Sequence, residues 1–186
     1  FRCRVGVPEF TPPELQGLAS YDSVDRTANH DNFGLAVLIF QLLLGGRHPF
    51  SGVPQRADVG NDMGEDIRTF RYSDSVDKAR RGLVPPPKSV PISILPADII
   101  GMFARAFTEP GARGLRPTAR DWVLGLDGLI ASLRTCAKHA LHMYPRGVVG
   151  CPWCALDMQG VSYFASTMPT YQASALPAKL DIKEMW

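Results

Sequence analysis

Near the C-terminal end, five residues of metal-binding types recur at ligand-like intervals: Cys136-x2-His139-x2-His142-x8-Cys151-x2-Cys154. The two thiols of Cys151-Pro152-Trp153-Cys154 can grip one ion from a tight turn, and Cys136 with one of the two histidines completes a set of four. Three thiolates and an imidazole leave no open position on a tetrahedral ion. The chemistry is then structural, and the donor set selects zinc. Cys-Pro-Trp-Cys also has the form of a redox pair, but that chemistry wants a helix N-terminus inside a βαβ unit, and no such pattern precedes it. Unmetallated core thiols are the third reading. The remaining cysteine, Cys3, stands far away, so clustering favours a metal over disulfides.

Such a cluster needs a folded body to carry it, and 186 residues suffice for one ordinary domain and a small appendage. At 45% hydrophobic and 20% charged, the chain has the means to build a core and is unlike a disordered sequence. A net charge of +2 gives no field that would point to nucleic acid or an anionic membrane, and neither is expected as a partner. The longest apolar run, residues 33–44, is too short to cross a bilayer. No secretion signal stands at Phe1, so the cytoplasm is the expected address.

That apolar run has no polar stripe, which predicts a helix buried on all sides and ended by Gly45-Gly46. A short helical turn is expected at residues 12–16. Residues 48–95 lose regular period among 17 glycines and 16 prolines spread through the chain, with short helices expected near 65–70 and 74–81 and the charges there forming a solvated surface. Ile99, Met102, Phe103, Ala106 and Phe107 then recur with the period of an amphipathic helix. Thr118 with Asp121 three residues on reads as a capping box opening a second one, whose apolar face is Trp122, Leu126, Leu129, Ile130 and Leu133. Strand signals are scarce. The fold class is mainly α.

Residues 6–14, 31–50 and 115–119, in that order, resemble the C-terminal lobe of bacterial serine/threonine protein kinases. Gly6-Val7-Pro8-Glu9-Phe10-Thr11-Pro12-Pro13-Glu14 is similar to the end of an activation segment, G-T-P-E-Y-x-A-P-E. Asp31-Asn32-Phe33-Gly34-Leu35-Ala36-Val37 resembles D-x-W-S-x-G-V, and the run on to Gly45-Gly46-Arg47-His48-Pro49-Phe50 resembles L-L-x-G-x-x-P-F. Leu115-Arg116-Pro117-Thr118-Ala119 resembles the R-P-T-A that opens the last helix of the lobe. Together they cover roughly residues 5–134 in the family's order.

The resemblance implies a kinase C-lobe helical bundle in which Val7, Pro8, Glu9 and Phe10 position the protein substrate. It implies further that Glu14 pairs with Arg116, while Asp31 accepts hydrogen bonds from the catalytic loop. Val7 departs from the family, which carries a threonine there. The glycine-rich loop, the strand lysine, H-R-D-x-x-x-x-N and D-F-G are all missing from the sequence, and with them every group that would hold ATP and Mg²⁺. The chain therefore reads as the downstream part of a kinase, lacking the N-lobe and catalytic loop and inactive alone, with ATP and magnesium used only by a full-length parent.

The cysteine cluster is also similar to an element that follows the kinase domain in some bacterial kinases. There the histidine lies six positions after the first cysteine and two before a tyrosine. That resemblance selects His142, beside Tyr144, over His139, and the implied metal set is Cys136, His142, Cys151 and Cys154. The expected organisation is a lobe over residues 1–135 and a zinc-knuckle extension with tail over 136–186. The sequence does not decide whether the tail docks on the lobe through Tyr163, Phe164 and Trp186.

The alternative function is a non-catalytic, kinase-like scaffold that holds a partner protein with residues 51–95. By analogy, some bacterial kinases of this appearance belong to phosphorylation triads with a von Willebrand A-like protein and a metal-dependent phosphatase, which suggests the former as a partner.

Overall fold

A computed structural model describes residues 6–164 of the chain; Cys3 and Trp186 lie outside the described residues. The architecture is mainly helical with two small two-stranded sheets. Helix α1 (Ala28–Leu43) begins five residues before the apolar run. Thr27 is in extended conformation and its backbone N–H donates to Nδ1 of His30 at 3.1 Å, closing the first turn over residues that look polar and unstructured in sequence. Gly45 (φ 67°) and Gly46 (φ 82°) follow in the left-handed region and end the helix.

α1 is not buried on all sides. Phe33, Ala36, Val37 and Phe40 are fully buried, but Leu38 is 49% exposed and Leu42 84% exposed. Residues 31, 35, 38 and 42 share one helical face, and no described element lies over Leu38 and Leu42. Aliphatic character all round the helix is thus matched by packing on only part of its circumference.

The core forms where α1 crosses α4 (Ala97–Phe107). Phe40 meets Phe103 edge-on at 5.0 Å between ring centroids and Phe107 at 5.8 Å, and Phe33 meets Phe107 at 5.8 Å. Trp122 of α5 (Ala119–Ser132) closes on Phe103 at 4.9 Å. Such edge-to-face pairs add about 0.5–1.5 kcal/mol each beyond the area they bury. α5 opens with the expected capping box: Asp121 N–H donates to Thr118 Oγ1 at 3.2 Å, and Asp121 accepts from Thr118 N–H at 2.8 Å. Its apolar face is narrower than the periodicity suggests. Trp122 and Leu129 are buried, Leu126 and Leu133 half-buried, and Ile130 is exposed.

Between these helices lie α2 (Met63–Arg68), α3 (Lys78–Arg81) and a minimal antiparallel ladder of β1 (Val53–Pro54) with β2 (Leu83–Val84). Asp62 caps α2 by accepting from Gly64 and Glu65 N–H. The charges of this region are not all a solvated surface. Arg47 pairs with Asp74 at 2.6 Å, both nearly buried, and lies over the Phe40 ring. Arg71 pairs with Asp66, whose carboxyl is pushed up chiefly by burial, and Arg81 grips both oxygens of Glu109. Where periodicity is lost, these pairs fasten the irregular chain to the core.

After α5 the chain runs directly into β3 (Leu133–Thr135), which pairs antiparallel with β4 (Met143–Pro145), and α6 (Pro152–Asp157) follows. Leu156 of α6 belongs to the same hydrophobic cluster as the α1 and α4 aromatics. The Tyr163 ring fills the space where a side chain at position 45 would stand, so the end of the described chain seats against the Gly45 turn. No helix among the described residues is long and apolar enough to cross a membrane.

Candidate functional site

The β3–β4 hairpin sets the first two ligand candidates side by side. Cys136 follows β3 and His142 precedes β4, and the Cys136 N–H donates to the His142 carbonyl at 2.8 Å. Cys151 is the N-cap of α6 and Cys154 lies in its first turn. The Cys-x-x-Cys pair thus sits at the start of a helix and not in an isolated turn, but the adjacent sheet is an antiparallel hairpin and no βαβ unit is present among the described residues.

The ligand atoms of Cys136, His142, Cys151 and Cys154 all lie within 4.8 Å of one another, close enough to hold a metal ion. Cys136 Sγ is 3.7 Å from Cys154 Sγ. His142 Nδ1 is 3.6 Å from Cys151 Sγ and 3.5 Å from Cys154 Sγ. His139 stacks on His142 at 4.4 Å but is outside the group of four. His142 is 1% exposed, and the Phe164 ring lies 5.0 Å from its own. Trp153 donates its indole N–H to the Met143 carbonyl at 2.7 Å, which ties α6 to β4.

The three cysteines are free thiols. The Lys138 N–H, 3.3 Å from Cys136 Sγ, pulls that thiol below its usual range. Cys154 is pushed up to about 11, first by desolvation and then by the neighbouring sulfurs. Crowding thiols in this way resists accumulation of negative charge, and a bound cation removes that resistance.

Elsewhere in the fold, Arg116 and Glu14 meet. The Arg116 side chain has no exposed surface, and its guanidinium donates to both carboxylate oxygens of Glu14, with Nη2 to Oε2 at 2.7 Å. It also donates to the carbonyls of Asn29 (3.1 Å) and Ala106 (3.3 Å) and lies over the Phe33 ring. His30 Nε2 is 3.8 Å from Glu14. Asp31 takes no part in this group; it is exposed on the uncovered face of α1.

Val7, Pro8, Glu9 and Phe10 form an exposed stretch whose last three residues make a 3-10 turn. The stretch is held from beneath. Thr11 Oγ1 donates to the Val7 carbonyl at 2.9 Å, Gln16 Nε2 to the carbonyls of Pro8 and Thr11 at 2.7 Å, and His48 Nε2 meets the Glu9 carbonyl at 2.9 Å. Burial holds the His48 imidazole below its ordinary range. His48 Nδ1 already accepts the Phe50 N–H, so the ring fits its place as the neutral, Nε2-protonated tautomer.

Sequence reasoning missed Asn29, His30, Gln16 and His48 as supports. Asn29 grips the loop before α5, donating to the Gly111 carbonyl and accepting the Arg116 N–H. Partners more than eighty positions apart leave no periodic signal. His30 is detectable only if a histidine is admitted at the third position of a capping box.

Over 162 residues the chain is 57% identical to protein kinase YegI of Escherichia coli strain K12, and equally to protein kinase YegI of Escherichia coli O157:H7. The match covers 87% of this chain and 25% of either relative, so the chain spans about a quarter of their length. No family model matches the chain, and no solved structure does. The similarity relates the chain to a protein kinase over most of its length.

Proposed function

We propose that the chain is the substrate-facing C-terminal lobe of a bacterial serine/threonine protein kinase, residues 1–135, clasped by a structural zinc element over residues 136–186. The observation that carries the kinase reading is the pairing of Glu14 with the wholly buried Arg116, which anchors the segment bearing Val7, Pro8, Glu9 and Phe10 to the loop before α5. The exposed, braced turn presents these four residues to an acceptor protein in the phosphoryl transfer of a full-length parent, which would supply ATP and magnesium sites. The uncovered face of α1, with Asp31, Leu38 and Leu42, is where the rest of such a lobe would pack.

Zinc is supported by the distances. A tetrahedral ion with Zn–S of about 2.3 Å and Zn–N of about 2.0–2.1 Å sets S···S edges near 3.8 Å and S···N edges near 3.6 Å. Three of the six ligand-atom separations, 3.7, 3.6 and 3.5 Å, fit those edges, and all six lie within 4.8 Å. Bound there by Cys136, Cys151, Cys154 and His142 Nδ1, zinc would supply no catalysis, only a cross-link between the β3–β4 hairpin and α6.

The kinase reading is tested in a chimera in which this chain replaces the corresponding quarter of the Escherichia coli kinase relative. Phosphorylation of a peptide library by the chimera is expected, with Phe10→Ala raising KM for peptide while KM for ATP stays put. Unchanged peptide kinetics in Phe10→Ala would reject the substrate-facing role.

A second reading, a non-catalytic scaffold holding a partner such as a von Willebrand A-like protein, is favoured by Val7 and by one cleft. That cleft, of about 750 Å³, separates the end of the irregular segment from the cysteine cluster and is lined by Lys88, Pro91, Ile94, Lys138, Val149 and Met158. A chimera that binds partner protein but transfers no phosphate would support it.

A further inference from the structure

α6 begins at the Cys-x-x-Cys pair and ends at Asp157, three residues after Cys154, so the two side chains share a helical face. That face looks at His142. The sulfurs of Cys151 and Cys154 stand at 3.6 and 3.5 Å from Nδ1, while on the other side of the ring Nε2 is 3.6 Å from the Asp157 carboxylate. The imidazole is 1% exposed and Asp157 about one-third exposed. Asp157 makes no other side-chain hydrogen bond or ion pair among the described residues.

These positions divide the two nitrogens by role. A histidine that ligates through Nδ1 must give that lone pair to the metal, which leaves its single ring proton on Nε2. In a buried site that N–H needs an acceptor, and an unmet donor there is costly. The Asp157 carboxylate is the acceptor the fold provides. At 3.6 Å the contact is longer than a formed hydrogen bond, so a loaded site must draw the one-third-exposed Asp157 carboxylate and the ring together for the bond to form.

We propose that Asp157 is the positioning residue of the metal centre: it fixes His142 in the Nε2-protonated tautomer and aims Nδ1 at the ion. The inference rests on the zinc reading and extends it from the four ligands to the group behind one of them. The Phe164 ring over His142 adds to the arrangement by limiting water access to the N–H that Asp157 accepts.

The test uses the full 186-residue chain labelled with 15N-histidine and loaded with zinc. Two-bond 15N–1H correlation is expected to show His142 protonated on Nε2, and competition against a chromophoric chelator is expected to show Asp157→Ala binding zinc about 10- to 100-fold more weakly. The Nε2 proton should exchange faster in Asp157→Ala, and Asp157→Asn, which keeps an acceptor oxygen, should restore part of both. A role confined to ending α6 would leave that proton's exchange unchanged.

Protonation of zinc-bound His142 on Nδ1, or an affinity of Asp157→Ala within twofold of wild type, overturns the proposal. If Asp157→Ala loses the fold of the lobe as well as the metal, Asp157→Leu, close in shape but with no acceptor, decides: zinc affinity and proton exchange both equal to wild type overturn it. A wild-type chain that takes up no zinc overturns the zinc reading and this proposal with it. Equal zinc binding by wild type and Asp157→Ala overturns the role of Asp157 alone.

Discussion

Removing Arg116 should be among the most damaging single changes in the lobe. Its guanidinium is wholly buried and serves four acceptors: two oxygens of Glu14 and the carbonyls of Asn29 and Ala106. Breaking a buried pair by deleting one partner costs about 3–5 kcal/mol, because the other charge is stranded. Arg116→Ala strands a carboxylate that water can partly reach, since Glu14 is 24% exposed, but it also removes a donor from the Asn29 and Ala106 carbonyls. Glu14→Ala strands a guanidinium that water cannot reach but that keeps those carbonyls. The two losses should therefore be similar.

In the double mutant no stranded charge remains, so its cost should fall short of the sum by about 2–3 kcal/mol. Glu14→Gln, which retains an acceptor, should lose less than Glu14→Ala. Urea unfolding with zinc in the buffer measures all four variants, and an unchanged m-value would show that the unfolded reference is the same. Additivity within about 0.5 kcal/mol would refute the pairing.

Three further outcomes are expected. Cys136→Ala, Cys151→Ala, Cys154→Ala and His142→Ala should each release the metal by elemental analysis, whereas His139→Ala should retain it; the reverse histidine result would reassign the fourth ligand. Because burial lowers the folded-state pKa of His48, the unfolded chain takes up that proton first as pH falls. His48 thus contributes stability that is full above about pH 6.5 and is lost below it, by up to about 1.4 kcal/mol per pH unit. The urea midpoint of wild type should fall more steeply from neutral to mildly acidic pH than that of His48→Gln, and parallel profiles would contradict this. Lastly, with no phosphate-cradling motif in its sequence, the chain should show no ATP-dependent thermal shift in magnesium, since only a ligand that binds the native state stabilises it; a saturable shift would contradict the assignment to the downstream lobe.

The metal cluster was legible because ligand chemistry fixes residue type and spacing locally. Cys136, His142, Cys151 and Cys154 come from one short stretch, and the hairpin and helix only fold it up. The amphipathic helices α4 and α5 were legible for the same reason, since their period is written in consecutive turns. What escaped depends on contacts between distant segments. Leu38 and Leu42 look like core residues in sequence, and only the packing of α1 shows that nothing described covers them. Asp74 and Asp66 look like surface charges, and only the fold brings Arg47 and Arg71 to them in nearly dry surroundings. Asp157 carries no motif at all; its meaning comes from standing behind a ring whose other nitrogen faces two sulfurs.

The zinc clasp is tested most directly by X-ray absorption at the zinc edge of the purified chain, with total metal measured on the same sample. The expected result is one zinc per chain in a shell of three sulfurs at about 2.3 Å and one nitrogen at about 2.0–2.1 Å. A metal-free chain of equal order with its cysteines paired as disulfides, or a zinc shell dominated by oxygen, would contradict it.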